Sequence, residues 1–261
     1  MMKRVFELRY EVYCQERGFL PVQDYPDGLE FDEYDERSAH FCEFDESDDL
    51  VGYVRLVRAE QLPDFPFMNH CSSVDFGSGP PQVDQCAEIS RLIVHPSLRR
   101  RRNDTNVEPG FASATRASMD DRRRQSRLIL PALYRQMYVY SRRAGIRYWY
   151  AAMERPLARH MMQLGFPFQQ IGPLTDYYGP VAPYLLDLTA CEAALASRNP
   201  ALLDWMCTAL RDCDSAFDTL QAETERFGGS QPIAARAPHL PASLSSKRPA
   251  PAYALQEKLA A

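Results

Sequence analysis

Residues 86–96 read CAEISRLIVHP, and this stretch decides the fold. It begins with alternating apolar and polar residues and ends with a continuous apolar run, a pattern typical of a central strand. Pro96 ends the strand and a run of arginines follows, which indicates a functional loop. Glu88, Ser90 and Arg91 place a carboxylate, a hydroxyl and a guanidinium on this element, which we expect to be buried. Buried charges are costly unless they are paired or used, so these residues are the first candidates for a site.

The two charged side chains of this strand do not share a face if the strand is regular. Glu88 and Ser90 then point to one face of the sheet, and Arg91 points to the other. Glu88 and Arg91 can serve one site only if a β-bulge turns one of them round. The hypothesis of a shared site therefore requires a bulge in this strand.

The composition indicates one sizeable core, with room for an appendage. The chain has 261 residues, of which 45% are hydrophobic. It has no apolar run long enough to span a bilayer, and its first residues lack the apolar stretch of a signal peptide, so we expect a cytoplasmic protein. The seven cysteines include no CxxC pair, so we expect reduced core thiols and neither a metal site nor a thioredoxin motif.

The charges are segregated along the chain, although the formal net charge is only −5. Residues 27–49 are rich in Asp and Glu, whereas residues 99–127 are rich in arginine. This asymmetry indicates an anionic partner near the second region, and the alternative is two solvated loops. The arginines in question are Arg99, Arg100, Arg101, Arg102, Arg122, Arg123, Arg124 and Arg127.

Periodicity and turn chemistry predict an α/β fold with a mixed central sheet flanked by helices. The predicted elements are a helix at 3–19, a hairpin at 38–58, the strand at 86–95, a helix at 126–144 with Pro131 in its first turn, a strand at 146–153, a helix at 155–164, a strand at 184–188 and a helix at 190–213. Residues 97–125 show no clear period, and we expect an arginine-rich insertion that orders on binding. The predicted organisation is a domain over 1–189, a helical segment over 190–227 and a disordered tail over 228–261.

An acidic motif and two earlier arginines are candidates for the same site. Glu30, Asp32 and Asp35 form the pattern E-x-D-x-x-D, and carboxylates this close repel unless cations or substrate amines lie among them. Arg55 stands in an otherwise apolar or aromatic stripe of the hairpin, and Arg9 lies beside the apolar face of the first helix. One alternative is an acidic surface loop. Another is an ion-pair lattice that holds the first helix over the sheet.

A His-Pro pair that closes a strand before an arginine run, followed by a helix, resembles the GNAT acyltransferase fold. The charged positions, taken in order, resemble the acyl-homoserine-lactone synthases over about residues 4–95. The matching positions are Arg9 with Val12 and Tyr13, then Glu30, Asp32 and Asp35, then Gly52 and Arg55, then Glu88, Ser90 and Arg91. The run RYEVYCQERGF and the arginine-rich insertion are similar to a sister group, which we favour. That group comprises the acyltransferases associated with PEP-CTERM/exosortase systems and the related long-chain N-acyl amino acid synthases.

The resemblance implies an N-acyltransferase that moves a long-chain acyl group from a thioester to the amine of an amino acid or similar small acceptor. It implies no permanently bound cofactor, with an acyl-phosphopantetheine as co-substrate. The stretch Ser97–Asp104 contains no glycine where ordinary GNAT enzymes cradle the CoA diphosphate with a glycine-rich loop. We therefore expect acyl carrier protein as donor, docked on Arg99–Arg102 and Arg122–Arg124, with acyl-CoA as the alternative.

Within this reading, Glu88 is the first choice for the group that takes the amine proton, followed by Asp32 and Glu30. Arg55 and Arg91 are expected to hold an acceptor carboxylate or to brace the acidic loop. The remaining residues expected to bind substrate are Arg9, Asp35 and Ser90. A backbone N–H around residues 92–94 is expected to stabilise the oxyanion.

The family's usual acid is a tyrosine on the short helix near 156–165, and here that helix has none. His160 is the titratable substitute on the helix, although a packing or surface role suits it better, and Tyr177 and Tyr178 on the next loop are alternatives. Met161, Met162 and Leu164 are expected to line either an acyl tunnel or simply the core.

Two other classes of function stay open at this point. The arginine runs could belong to a nucleic-acid-binding module, but the chain is acidic overall and has no RNA- or DNA-binding motif, so we expect no nucleic acid. A GNAT-like protein without catalysis could serve as a carrier-protein-binding scaffold. Peripheral contact with a membrane is a further candidate interaction.

Overall fold

A mixed seven-stranded sheet organises the chain in the computed structural model. The structure describes residues 1–71, 73–77, 79–98, 114–208 and 210, and of residues 114–127 it describes the backbone alone. The predicted docking residues Arg99–Arg102, the end of the predicted helix at 190–213 and the predicted tail over 228–261 lie outside the described residues.

The strands appear in the sheet in the order β1-β2-β3-β4-β7-β5, with β6 beside β7. Their bounds are β1 Ser38–Phe44, β2 Leu50–Val57, β3 Cys86–Val94, β4 Tyr148–Glu154, β5 Gln169–Gln170, β6 Thr175–Asp176 and β7 Pro180–Asp187. β3 and β4 are parallel and the other pairs are antiparallel. The predicted fold class is therefore confirmed.

The last strand, β7, begins earlier than the sequence predicted. It starts at Pro180 rather than at residue 184, and Val181 already pairs with Glu154 of β4. Pro180 is tolerated because it is the first residue of the strand, where a missing N–H breaks no ladder in the middle of the sheet. The glycine and prolines around it concealed the strand from a reading based on alternation.

In the described part of the chain, five helical stretches flank the sheet. They are α1 Met2–Tyr10 with a π-helical turn over Glu11–Glu16, α2 Ala114–Arg143, α3 Arg155–Leu164, α4 Leu188–Arg198 and residues 200–208. Short 3₁₀ turns lie at Val22–Asp24, Asp35–Arg37, Leu62–Asp64, Pro66–Asn69, Val83–Gln85 and Pro96–Leu98. α3 matches its prediction, and it ends at Gly165, which has the left-handed φ of 102° that favours glycine.

Two helix predictions were wrong. α2 begins at Ala114, so the second half of the expected insertion is helical and Pro131 lies inside the helix rather than in its first turn. Arginine, alanine and glutamine are good helix formers, but this stretch shows no apolar period. The predicted helix over 190–213 is interrupted at Asn199, whose Oδ1 accepts the Leu202 N–H at 3.1 Å and so caps a new helical start.

One face of the sheet carries the main hydrophobic core, under α2, α3 and α4. Trp149 is fully buried there and donates Nε1–H to the Ser141 hydroxyl at 2.9 Å. α2 lies so close to β2 that a Cβ added at Gly52 would stand 2.5 Å from Ile129. Gly52 is thus required by helix–sheet packing.

The opposite face carries two smaller apolar clusters. One packs α1 against the β2–β3 half of the sheet through residues such as Val5, Leu8 and Tyr53. The other packs the connection after β2 against β3 and β4 through residues such as Phe67 and Tyr150. Four of the five buried polar or charged residues in the described chain belong to this face, and they are Arg9, Glu30, Arg55 and Glu88. The fold therefore places the candidate site between the two clusters.

Candidate active site

A β-bulge in β3 brings its charged residues to one face. The pairing with β2 places Arg91 and Leu92 opposite the single residue Val54. Arg91 adopts φ of +55°, a left-handed conformation that is rare for a residue other than glycine. The extra residue turns Arg91 towards the face that already carries Glu88 and Ser90. The required bulge is therefore confirmed.

Arg9 and Arg55 are fully buried and are bonded to the acidic motif. Arg9 donates Nε–H to Glu30 Oε2 at 2.5 Å and Nη1–H to Asp35 Oδ1 at 2.6 Å. Arg55 forms a two-pronged pair with Asp32 at 2.6 and 2.7 Å, and its Nη1 also lies 2.6 Å from Asp35 Oδ1. The acidic segment is thus clamped between α1 and β2.

Arg91 completes the arrangement from the bulge. Its Nη2 lies 3.0 Å from Glu30 Oε1 and 3.1 Å from Asp32 Oδ2, and its guanidinium stands 5.2 Å from the centre of the Tyr13 ring. We call the resulting set of three cations and three anions the charge lattice: Arg9, Glu30, Asp32, Asp35, Arg55 and Arg91. The alternative of an ion-pair lattice over the sheet thus describes the geometry correctly.

The charge lattice keeps its carboxylates ionised despite burial. Burial pushes the pKa of Asp32 up, but the guanidiniums of Arg55 and Arg91 outweigh it and lower the pKa to about 2. Burial opposes ionisation of Glu30 in the same way, and Arg91 and Arg9 lower its pKa in turn. Most of the lattice is closed to solvent, and the side chains with appreciable exposure are Asp32 at 22% and Arg91 at 14%.

Glu88 stands beside the charge lattice in a different state. Its side chain is buried, and its Oε2 accepts the Phe67 N–H at 3.0 Å. Burial raises the pKa of Glu88 to about 8, a rise that the Phe67 N–H and the charges of Arg55 and Arg91 oppose only in part. A carboxyl with this pKa exchanges its proton near neutral pH, which suits a group that takes or gives a proton during a reaction.

The donor to Glu88 comes from the connection between β2 and β3, and sequence analysis missed it. The 3₁₀ turn Pro66–Asn69 presents the Phe67 N–H, and the rings of Phe65 and Phe67 pack on Tyr150 at 5.2 and 5.0 Å. The sequence marked this connection only as irregular and long. Its phenylalanines and Pro66 were the available signal for a packed, ordered segment.

His40 is a second residue that the sequence analysis missed. Its Nδ1 lies 2.7 Å from the Tyr53 hydroxyl and its Nε2 lies 3.1 Å from the Asp35 carbonyl oxygen. His40 pairs across the hairpin with Arg55, so the strand alternation could have placed it on the same face. It supports the charge lattice from β1.

A row of aromatic rings begins at Tyr13, which Arg91 of the charge lattice contacts. Tyr13 and Phe19 follow α1, His70 follows the Phe67 turn, and Tyr177 and Tyr178 come from the loop before β7. Neighbouring ring centres are 6.3 Å apart for Tyr13–Phe19, 5.6 Å for Phe19–Tyr178, 4.9 Å for Tyr178–Tyr177 and 3.7 Å for Tyr177–His70. The row joins three segments that are distant in sequence.

Other predicted residues lie elsewhere or make weak contacts. The Ser90 hydroxyl is 3.4 Å from Arg55 Nε, at the outer limit of a hydrogen bond. His160 is exposed on α3, on the other side of the sheet from the charge lattice. Met161 belongs to the main core, where Leu164 also packs, and Met162 is 49% exposed. The core alternative therefore describes Met161 and Leu164.

Within the described part of the chain, no group of three or more His, Cys, Asp or Glu residues is arranged to hold a metal ion. A helix long and apolar enough to cross a membrane is also absent from the described residues.

Comparison with known proteins agrees with the geometry. Residues 8–107 match the family model described as an acetyltransferase (GNAT) domain. This part of the chain is therefore similar to GNAT acetyltransferase domains. The matched range contains the whole charge lattice and Glu88.

Acyl-homoserine-lactone synthases are similar to this chain in sequence. That of Aeromonas salmonicida is 23% identical over 145 residues, which are 56% of this chain and 59% of the relative. That of Aeromonas hydrophila is 22% identical over the same shares. The chain thus aligns with less than two thirds of the length of these curated relatives.

Two solved structures show the same fold. TofI, in a ternary complex with an inhibitor and MTA, is 17% identical with a TM-score of 0.52, and the match covers 77% of this chain and 91% of TofI. The CoA-dependent acyl-homoserine lactone synthase BjaI with MTA is 18% identical with a TM-score of 0.51, and the match covers 80% and 81%. The predicted association with PEP-CTERM/exosortase systems stays a prediction.

Proposed function

We propose that this protein is an N-acyltransferase that moves an acyl group from a thioester to the amine of a small acceptor. The observation that carries the proposal is the buried carboxyl of Glu88, held by the Phe67 N–H at the end of the β3–β4 ladder. β3 pairs with β4 only from Cys86 to Glu88. Where two strands separate in this way, an extended substrate arm can lie between them as an added strand would.

The proposed reaction requires that the acceptor nitrogen lose a proton within the site. The acceptor nitrogen attacks the thioester carbonyl, a C–N bond forms, and the C–S bond breaks. The nitrogen must lose a proton, and the Glu88 carboxylate takes it directly or through water. A pKa of about 8 makes the carboxylate of Glu88 a stronger base than an ordinary glutamate, while leaving a usable ionised fraction near neutral pH.

The exposed part of the charge lattice, which we call its corner and which consists of Asp32 and Arg91, supports an amino acid as acceptor. Asp32 and Arg91 lie 3.1 Å apart and are its most exposed side chains. An ammonium group suits Asp32, and a carboxylate suits the guanidinium of Arg91. In this proposal Arg9, Glu30 and Asp35 hold the corner in place, and Arg55 braces Asp32.

We propose acyl carrier protein rather than CoA as the donor's carrier. The support comes from the sequence, in which Ser97–Asp104 has no glycine and contains four consecutive arginines. Carrier protein is acidic, so Arg99–Arg102 and Arg122–Arg124 offer complementary charge. BjaI, which shares the fold, is a CoA-dependent enzyme, so a CoA thioester is the comparison donor in the test.

The test is incubation of the full chain with long-chain acyl-carrier proteins, the matching acyl-CoAs and a panel of amino acids, read by mass spectrometry. We expect a product heavier than the amino acid by the acyl group, formed from the carrier-protein donor. Product from CoA donors alone would overturn the choice of donor. A folded protein that forms no product and still binds carrier protein would overturn the catalytic proposal in favour of a scaffold.

A further inference from the structure

The reaction proposed above needs a proton for the thiolate that leaves the acyl group. α3, where GNAT enzymes of the resembling kind carry a tyrosine, has none, and His160 on this helix is exposed on the other side of the sheet. The groups of the charge lattice are engaged in ion pairs. Glu88 is assigned to the amine proton, so a separate donor for the thiolate would come from another segment that borders the same face.

We propose that the Tyr177 hydroxyl is the general acid that protonates the departing thiolate. The proposal rests on the proposed function, because it assigns a residue to the second half of that reaction. Tyr177 lies between β6 and β7, at the end of β4 where Glu154 pairs with Val181. This is the end at which β3 has already separated from β4, and a thioester arm placed between the two strands would reach it.

The backbone around Tyr177 is held on both sides. The Tyr177 N–H donates to the Gly179 carbonyl oxygen at 2.9 Å, and the Gly179 N–H donates to Asp176 Oδ1 at 3.1 Å. Thr175 pairs with Val181 just before the turn. The ring is therefore presented by a closed turn, as a donor of fixed position requires.

The ring of Tyr177 is also fixed by His70. The two rings are 3.7 Å apart and nearly parallel, at 12°. The His70 N–H bonds to the Phe67 carbonyl oxygen at 3.1 Å, and the Phe67 N–H is the donor to Glu88. One short segment thus positions both the carboxyl that takes the first proton and the phenol that gives the second.

Electrostatics keep the Tyr177 phenol in its protonated form. Burial raises the pKa of Tyr177, and the charges of Arg91 and Glu88 act on it in opposite directions. The phenol is therefore protonated at neutral pH, and it lies within electrostatic reach of both groups. When the C–S bond breaks, its electron pair goes to sulfur and the phenol proton follows. The proton held by Glu88 then returns to the phenolate through water, so the cycle needs no other reactant.

The test compares two small donors of the same acyl group in the variant Tyr177→Phe, which keeps the ring on His70. One donor is the N-acetylcysteamine thioester, whose alkyl thiol leaves poorly without a proton. The other is the thiophenol ester, whose thiolate leaves without help. We expect kcat for the alkyl thioester to fall about 100-fold or more, with KM changed less than about threefold, and the thiophenol ester to react at nearly the wild-type rate.

The ratio of the two rates in one sample does not depend on the folded fraction, so partial misfolding cannot imitate the result. Tyr140→Phe is the control, because its ring packs on Phe41 away from the site. Equal losses with both donors, or no loss with the alkyl thioester, would overturn the proposal. A wild-type protein that uses no donor at all would instead refute the proposed function, and the role of Tyr177 with it.

Discussion

At the scale of single residues, Glu88 shows how burial sets chemistry. The same carboxyl on the surface would be ionised at neutral pH, whereas here burial raises its pKa to about 8. Its neighbours Glu30 and Asp32 are also buried wholly or in part, but they keep low pKa values because guanidiniums contact them directly. One small region thus holds ionised and neutral carboxyl groups side by side.

This difference makes the free energy of unfolding depend on pH through Glu88. The folded protein keeps the Glu88 proton up to about pH 8, whereas the unfolded chain releases it near the ordinary value of 4.5. The contribution of Glu88 is therefore fully present below about pH 4.5 and is lost as pH rises through about 8. The free energy of unfolding of Glu88→Gln should not fall in this way. Between pH 5 and pH 9 we therefore expect it to rise by a few kcal/mol relative to that of the wild type. Urea unfolding across this range measures it, and the exposed Glu46→Gln is the control.

A second prediction concerns Arg55, whose planar fork bonds Asp32 twice. Lysine keeps the charge but cannot reproduce two parallel bonds, so Arg55→Lys leaves buried acceptors unpaired. We expect a loss of about 2–4 kcal/mol in the free energy of unfolding. The matched control is Arg147→Lys, which breaks a similar double contact with Asp187 at the surface and should cost much less, because solvent screens that pair. Equal losses at the two positions would contradict a buried, mutually dependent lattice.

At the scale of elements, the bulge in β3 joins strand geometry to the site. A regular strand would send Arg91 to the core side, away from Glu30 and Asp32. The left-handed conformation of Arg91, with φ of +55°, is unfavourable for a side chain with a Cβ, and its ion pairs with the acidic motif offset the cost. The ion pairs of Arg91, rather than local propensity, thus account for the bulge.

The bulge predicts an unusual order of stability between two truncations. Both Arg91→Ala and Arg91→Gly remove the guanidinium, but glycine accepts φ of +55° without strain. We expect Arg91→Gly to be more stable than Arg91→Ala by about 1 kcal/mol. At Val94, which lies outside the bulge in the same strand, we expect the usual order with alanine above glycine. The denaturant midpoints of the four variants test this prediction. If the alanine variant is more stable than the glycine variant at both positions, the bulge is ruled out.

Elements that a local sequence pattern indicates were predictable from the sequence. Elements that depend on contacts between distant residues were not. The hairpin and α3 were predicted well because alternation and a glycine cap stand in the sequence itself. The start of α2 was missed because an arginine-rich helix has no apolar period. Within the site, the ion-pair lattice was one alternative, suggested by Arg55 in an otherwise apolar stripe and by the closely spaced carboxylates of the acidic motif. The Phe67 donor and the aromatic row were not, because residues 13, 70 and 177 meet only in three dimensions.

At the scale of the whole molecule, the two faces of the sheet differ in what they carry: one carries the main core and the other carries the candidate site. The face under α2, α3 and α4 carries the main core and stabilises the fold. The other face is interrupted by charges between two apolar clusters, which costs stability and creates a site. Residues 8–107, which match the GNAT family model, contain every member of the charge lattice, and the chain beyond them contributes β4 and β7.

The most direct test of the central claim is the rate of N-acyl product formation by wild type, Glu88→Gln and Glu43→Gln, followed by mass spectrometry at pH 8. Glu43 is a matched control, because its partly buried carboxyl bonds Gln136 of α2, away from the charge lattice. We expect Glu43→Gln to match the wild type within about twofold and Glu88→Gln to lose about 100-fold or more, since the carboxamide keeps the Phe67 contact but accepts no proton. A Glu88→Gln protein as active as the wild type would contradict the account.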